Sequence, residues 1–107
     1  MSDSDLRRLT EVDRLIHEPA RLLIVTTLYM VEQADFLFVL TNTGLTKGNL
    51  SAHLSKLEGA GYVDIQKTYR GKVPQTLLAL TPAGRTAFEA YRKQLKDLAN
   101  RLPEEPA

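Results

Sequence analysis

The sequence predicts a mainly α fold carrying one small β-hairpin, an α+β domain, and three observations point that way. Apolar residues recur at steps of three and four through most of the chain, the spacing of helices with one buried face. The period falls to two only around Val63 and Ile65, and again at Thr76, Leu78 and Leu80, with Arg70-Gly71-Lys72 between them as a turn. The 107 residues, 43% hydrophobic and 25% charged, suit one domain with one core. Residues 1–102 are expected to form it, with 103–107, Pro103-Glu104-Glu105-Pro106-Ala107, as a disordered tail.

Each element has a local cause. From Asp5 to His17, Leu6, Leu9, Val12, Leu15 and Ile16 make one helical stripe, with Arg7, Arg8, Glu11, Asp13 and Arg14 on the other face. Pro19 stops that helix and opens the next, where the first position needs no N–H. The segment Pro19–Val31 reads as a helix buried nearly all round. Asp35 is an N-cap for a short apolar helix over Phe36–Asn42, and Gly44 suits a left-handed end. Thr46 caps a longer helix running to Ala60, whose Leu50, Leu54 and Leu57 step by four and three, and Gly61 ends it. The hairpin covers Tyr62–Leu80; Pro74 implies an edge or unpaired position in its return strand, read as Thr76–Leu80. Thr81-Pro82 caps and starts a final helix reaching Leu102, with Ala87, Tyr91, Leu95, Leu98 and Leu102 as its stripe and Phe88 beside it.

Two helices joined by the short turn Thr43-Gly44-Leu45 and followed at once by a hairpin define a winged helix-turn-helix. Leu45 is expected to pack inward and set the angle between the two helices. On a helical wheel, the side opposite Leu50, Leu54 and Leu57 carries Gly48, Asn49, Ala52, Ser55 and Lys56, with Lys47, Ser51 and His53 on the flanks or at the exposed N-terminal end. These residues are small or hydrogen-bonding, as a helix lying in a major groove requires. Lys67, Arg70 and Lys72 make the hairpin basic, so that the wing, 67–75, can reach a backbone or minor groove. The global net charge of +1 hides this arrangement. Residues 46–72 hold five cations against two acids, a net of +3, whereas residues 1–18 hold three against five, a net of −2. His53 has two readings, a DNA contact or a half-buried residue beside Leu54 and Leu57. His17, just before Pro19, reads as structural, and Tyr62 and Tyr69 as strand aromatics that serve packing.

The run Leu45-Thr46-Lys47-Gly48-Asn49-Leu50-Ser51-Ala52-His53-Leu54-Ser55-Lys56-Leu57-Glu58-Gly59-Ala60-Gly61-Tyr62-Val63 resembles the recognition-helix signature of small bacterial and archaeal winged-helix regulators, the MarR and ArsR groups. Leu80-Thr81-Pro82-Ala83-Gly84-Arg85 is similar to the phrase opening their C-terminal helix, and His17-Glu18-Pro19-Ala20-Arg21 to their front end. The likeness runs from Leu9 to Leu98. It implies a homodimeric transcriptional regulator, with DNA contacts on Thr46, Lys47, Asn49, Ser51, Ala52, His53, Ser55 and Lys56 and wing contacts on Arg70 and Lys72. Ala52 departs from the basic or longer residue of many relatives and leaves a methyl contact to thymine.

The terminal helices carry apolar stripes that one small core does not cover. A two-fold dimer interface through Leu6, Leu9, Val12, Tyr91, Leu95, Leu98 and Leu102 is expected, making both ends dimerisation helices. The chain has no cysteine, which removes disulfides, thiolate metal sites and a cysteine nucleophile, and its two histidines, His17 and His53, stand far apart. No metal or cofactor is expected, nor enzymatic activity, since no carboxylate pair, Ser/His/Asp set or phosphate-cradling glycine loop stands in a supporting context. The longest apolar runs are too short to span a bilayer and the acidic start is no signal peptide, so a cytoplasmic protein is expected. The function expected is a sequence-specific regulator of double-stranded DNA, a repressor, with an unidentified small-molecule effector as a further partner. The alternative is a winged-helix protein–protein module that binds no DNA.

Overall fold

The computed structural model describes residues 11–104. Within them the chain forms α1 (Pro19–Tyr29), β1 (Ala34–Asp35), α2 (Phe36–Thr43), α3 (Lys47–Gly59), β2 (Val63–Arg70), β3 (Val73–Leu80) and α4 (Pro82–Arg101). The strands make one antiparallel sheet in the order β1-β3-β2.

The helix expected over Asp5–His17 is corrected in its described part. Residues 12–18 are turn and bend. The cause is Asp13, whose Oδ1 accepts the N–H groups of Leu15 at 2.9 Å and Ile16 at 3.2 Å. A short carboxylate that captures nearby N–H groups offers the backbone an alternative to the helix. Leu6 and Leu9 lie outside the described residues. The turn does what the helix was expected to do at one point: it drives Ile16 into the core, where it is fully buried.

Glu18 caps α1, accepting from the N–H of Ala20 at 3.1 Å and of Arg21 at 2.7 Å, with Pro19 at the first helical position. The helix ends at Tyr29, two residues before the expected Val31, and Leu23 and Met30 face solvent, so it is not buried all round. Thr27 is buried because its hydroxyl donates to the Leu23 carbonyl one turn back, at 2.8 Å. Asp35 caps α2 through the Phe38 N–H at 2.7 Å, and Gly44 closes it at φ +68°. The strand β1 was not foreseen. Its two residues pair with Leu77 and Leu78, too short a run to carry a period.

The hairpin is longer than expected, pairing from Val63 opposite Leu80 out to Arg70 opposite Val73. Its turn is only Gly71-Lys72, with Gly71 at φ +66°, a value that favours glycine at the first turn position of a two-residue hairpin. Pro74 faces Tyr69, and β1 reaches only Leu77 and Leu78, so beside Pro74 the strand has β2 on one side and no strand on the other.

Ile24, Leu28, Val39, Leu50, Leu57, Val63 and Leu78 converge from every element but β1 and α4 into a core with no exposure above 1%, and Leu45 packs on it from the turn, as expected. Helix α4 adds Phe88, whose ring meets Tyr29 at 4.8 Å between centroids, and Tyr91. Thr81 locks its start: the hydroxyl accepts from the Gly84 N–H at 2.9 Å and donates to the Gly61 carbonyl at 2.6 Å.

Candidate nucleic-acid interface

Helix α3 starts at a cap in which the Thr46 hydroxyl accepts the Asn49 N–H at 3.2 Å. Leu50, Leu54 and Leu57 are buried, which turns the opposite side outward. Thr46, Lys47, Asn49, Ser51, Ala52, Ser55 and Lys56 are all exposed. The face is thus a row of small and donor side chains with a cation near each end.

His53 is different. Its side chain is 22% exposed, with Nδ1 3.2 Å from Nη1 of Arg21 and 3.8 Å from Oε2 of Glu18. Of the two readings left open, the half-buried one describes its surroundings, and the partners are polar rather than Leu54 and Leu57. Arg21 is held from three sides, since its Nε donates to the Leu15 carbonyl at 2.6 Å and its Nη1 lies 3.9 Å from Glu18. Hydrogen bonds from the Arg21 and Ala20 N–H groups, with the Arg21 N–H the larger influence, hold the Glu18 carboxyl below the usual carboxylate range. Neither Glu18 nor Arg21 was singled out as a partner of the recognition helix. Their spacing from His53 along the chain leaves no sequence signal.

In the wing, Lys67, Arg70 and Lys72 are exposed. Strand alternation separates them. Lys67, opposite Thr76, shares the face of Val63 and Ile65 that looks toward α3, whereas Arg70, opposite Val73, is on the other face. An open groove of about 660 Å³ runs between α3 and the sheet, with Ser51, Ser55 and Glu58 on one side and Ile65, Lys67 and Thr76 on the other. Tyr69 was expected to pack and does not. It is 70% exposed, because the hairpin outruns the core at Ile65 and Leu78. Lys47, Lys56, Lys67, Arg70 and Lys72 form no ion pair with an acid among the described residues, so they carry charge that no acid neutralises there.

The base of the wing is tied to the turn before α1. The Tyr62 hydroxyl donates to Oδ2 of Asp13 at 2.5 Å, and this hydrogen bond, with burial second, pushes the phenol up to about 12. The folded state holds this proton more tightly than the unfolded chain. Its contribution to stability is therefore full below pH 10 and is lost as pH rises through about 12. Asp13→Ala is expected to return the Tyr62 phenol toward 10, read as an earlier tyrosinate absorbance step in an alkaline titration. Tyr62 titrating unchanged in the variant would contradict the assigned cause.

The residues expected at a dimer interface divide. Tyr91 is 2% exposed within its own chain and its hydroxyl lies 2.7 Å from Nδ1 of His17, so it serves the core and bears out the structural reading of His17. Val12 and Leu95 are half-buried against the same core, Leu98 is half-buried, and Leu102 is 53% exposed. Among the described residues no helix is long and apolar enough to cross a membrane, and no three His, Asp or Glu gather as metal ligands.

The geometry has counterparts. A protein-family model described as a winged helix DNA-binding domain matches residues 20–99. The uncharacterized protein MJ0432 of Methanocaldococcus jannaschii is 32% identical over 90 residues, covering 83% of this chain and 97% of that one. The solved structure of a transcriptional regulator homologue from Pyrococcus horikoshii OT3 superposes with a TM-score of 0.82 at 26% identity, over 91% of this chain and 95% of the other. A MarR-family regulator from Silicibacter pomeroyi shares the fold with a TM-score of 0.65 at 18% identity, over 97% of this chain and 68% of that one. With capped helix, glycine turn, recognition helix and projecting basic hairpin in the order such a domain needs, and with the family model spanning most of its length, this chain belongs to the winged helix DNA-binding domain family.

Proposed function

We propose that the protein is a sequence-specific regulator of double-stranded DNA, a repressor acting as a homodimer. The observation that carries the reading is the acid-poor face of α3 beside an un-neutralised basic wing. The helix enters a major groove through Thr46, Lys47, Asn49, Ser51, Ala52, Ser55 and Lys56, and Lys67, Arg70 and Lys72 reach the flanking backbone or minor groove. His53 stays at the edge of this face, held by Arg21. Steric exclusion of other proteins from the bound duplex is the simplest way so small a protein represses.

The dimer reading rests on α4. Its 20 residues span about 30 Å, yet its buried residues are Gly84, Phe88 and Tyr91, all in its first half. Leu98 and Leu102 continue the stripe beyond, with Leu95 at the boundary, and a second copy related by a two-fold axis would cover them. Two half-sites would then lie about one helical turn, roughly 34 Å, apart. Leu98→Asp is expected to shift the sedimentation coefficient to that of a monomer; a wild-type protein already monomeric at micromolar concentration would remove the dimer from the proposal.

Selection of bound duplexes from a random pool tests the DNA reading. A converged, two-fold symmetric motif is the expected result, and no binding of any duplex at low salt would favour a protein–protein module instead. Asn49→Ala and Ser51→Ala are expected to change which sequences are selected, each at a cost of about 1–3 kcal/mol at one base position. Retention of the wild-type motif by both would move base readout elsewhere on α3.

A further inference from the structure

The contact between His53 and Arg21 has a chemical requirement. A guanidinium has only donors, so Nη1 of Arg21, 3.2 Å from Nδ1 of His53, can be received only by an imidazole whose Nδ1 carries no proton. The ring must be neutral, with its hydrogen on Nε2. We propose that His53 is a positioning residue of the recognition helix: neutral, it accepts from Arg21 and fixes α3 against α1 in the setting that reads DNA; protonated, it releases that helix. The proposal rests on the DNA-binding reading above.

The surrounding groups decide the sign. The charged groups facing the ring are Glu18 and Arg21 at the start of α1, and on its own helix the nearest titratable side chain is Lys56, one turn on. Protonation turns the Nδ1 contact into donor against donor and sets a second cation beside Arg21. Glu18 is the one carboxylate in the cluster, and its oxygens already accept the Ala20 and Arg21 N–H groups and lie beside the Arg21 guanidinium. It is 3.8 Å from Nδ1, beyond hydrogen-bond distance. Arg21 cannot give way, because its side chain is only 12% exposed and its Nε is fixed to the Leu15 carbonyl. The ring therefore has to move, and its 22% exposure gives it a path to solvent. His53 is the α3 member of this cluster, so moving its ring removes the hydrogen bond that joins α3 to α1 there. A histidine on the DNA face would behave oppositely, since an added positive charge strengthens phosphate binding.

The test compares a selected duplex with a random duplex of equal length, for wild type, His53→Gln and His53→Ala, between pH 8 and pH 5.5, the range in which imidazoles exchange their proton. A glutamine carbonyl accepts from Arg21 and does not titrate. The wild-type preference for the selected duplex is expected to fall about tenfold on acidification, with the variant His53→Gln keeping a pH-independent preference and His53→Ala losing it throughout. A wild-type preference that holds or rises at low pH overturns the proposal, as does a His53→Gln variant no better than His53→Ala. A second readout needs no DNA: long-range ¹H–¹⁵N spectra of the free protein are expected to show the Nε2–H tautomer for His53 at pH 8, and an Nδ1–H tautomer there overturns the positioning role. Failure of the wild type to prefer any duplex at pH 8, with the Nε2–H tautomer present, would instead remove the DNA reading and leave the contact as a structural one.

Discussion

Alanine at both Arg70 and Lys72 is expected to weaken binding to every duplex, selected or random, and to flatten the dependence of log affinity on log salt by about 2. Each cation that meets a phosphate releases nearly one counterion, so two lost contacts remove nearly two from the slope. At moderate salt the affinity should drop roughly ten- to a hundredfold, while the preferred sequence stays the same. Fluorescence anisotropy at four or five salt concentrations measures both quantities. Neither residue is in an ion pair and both are exposed beyond the core, so the fold should be untouched. An unchanged slope would mean that the wing tip does not reach DNA. Lys67 makes a useful third variant because it stands on the opposite face of the hairpin from Arg70, toward α3.

The largest effect on stability is expected at Gly84. A Cβ placed there would lie 2.9 Å from the carbonyl carbon of Tyr62, and closer still to its oxygen. That oxygen is committed, since it accepts the Thr81 N–H at 3.0 Å. Neither side can yield cheaply: α4 is anchored by the Thr81 cap, and Tyr62 joins the end of the recognition-helix unit to the first wing strand. Gly84→Ala should cost on the order of 3 kcal/mol or more, a drop in Tm of roughly 12 °C or more for a domain of this size. Gly48→Ala has the opposite expectation, because a Cβ there meets nothing within 4 Å and glycine in a helix is the poorer residue, so a gain of up to about 1 kcal/mol should follow. Thermal melts of the two variants decide it, and a Gly84→Ala protein melting with the wild type would show that the approach of α4 to the wing base is not tight.

Much of this was legible along the chain. The caps Asp35, Thr46 and Thr81, the left-handed Gly44, the leucines at 50, 54 and 57 and the period change at Val63 are local signals, and each produced the element it announces. The exposed row on α3 followed from them, since naming three buried positions on a helix names the other side. The turn at Asp13 was not legible, because apolar spacing at Leu6 through Ile16 argues helix, whereas in the fold the Asp13 carboxylate captures the Leu15 and Ile16 N–H groups and also receives the Tyr62 hydroxyl. Strand β1 was invisible for want of length. Tyr69 was misjudged because strand aromatics pack only where there is a core beneath them, and how far the hairpin outruns the core is not written in its alternation.

The sequence by itself determined the order of elements, the outward face of the recognition helix and the concentration of positive charge in the helix-and-hairpin unit. These depend on neighbours within a few residues, where backbone geometry translates directly into position. Only the tertiary structure decided which charges stay free and which are spent. It took His53 from the exposed row and gave it to Arg21, 32 positions away, and it took Tyr91 from the α4 stripe and gave it to His17, 74 positions away. Hydrogen bonding is set by distance in space, and a chain that folds back on itself brings together groups whose separation along the sequence carries no signal.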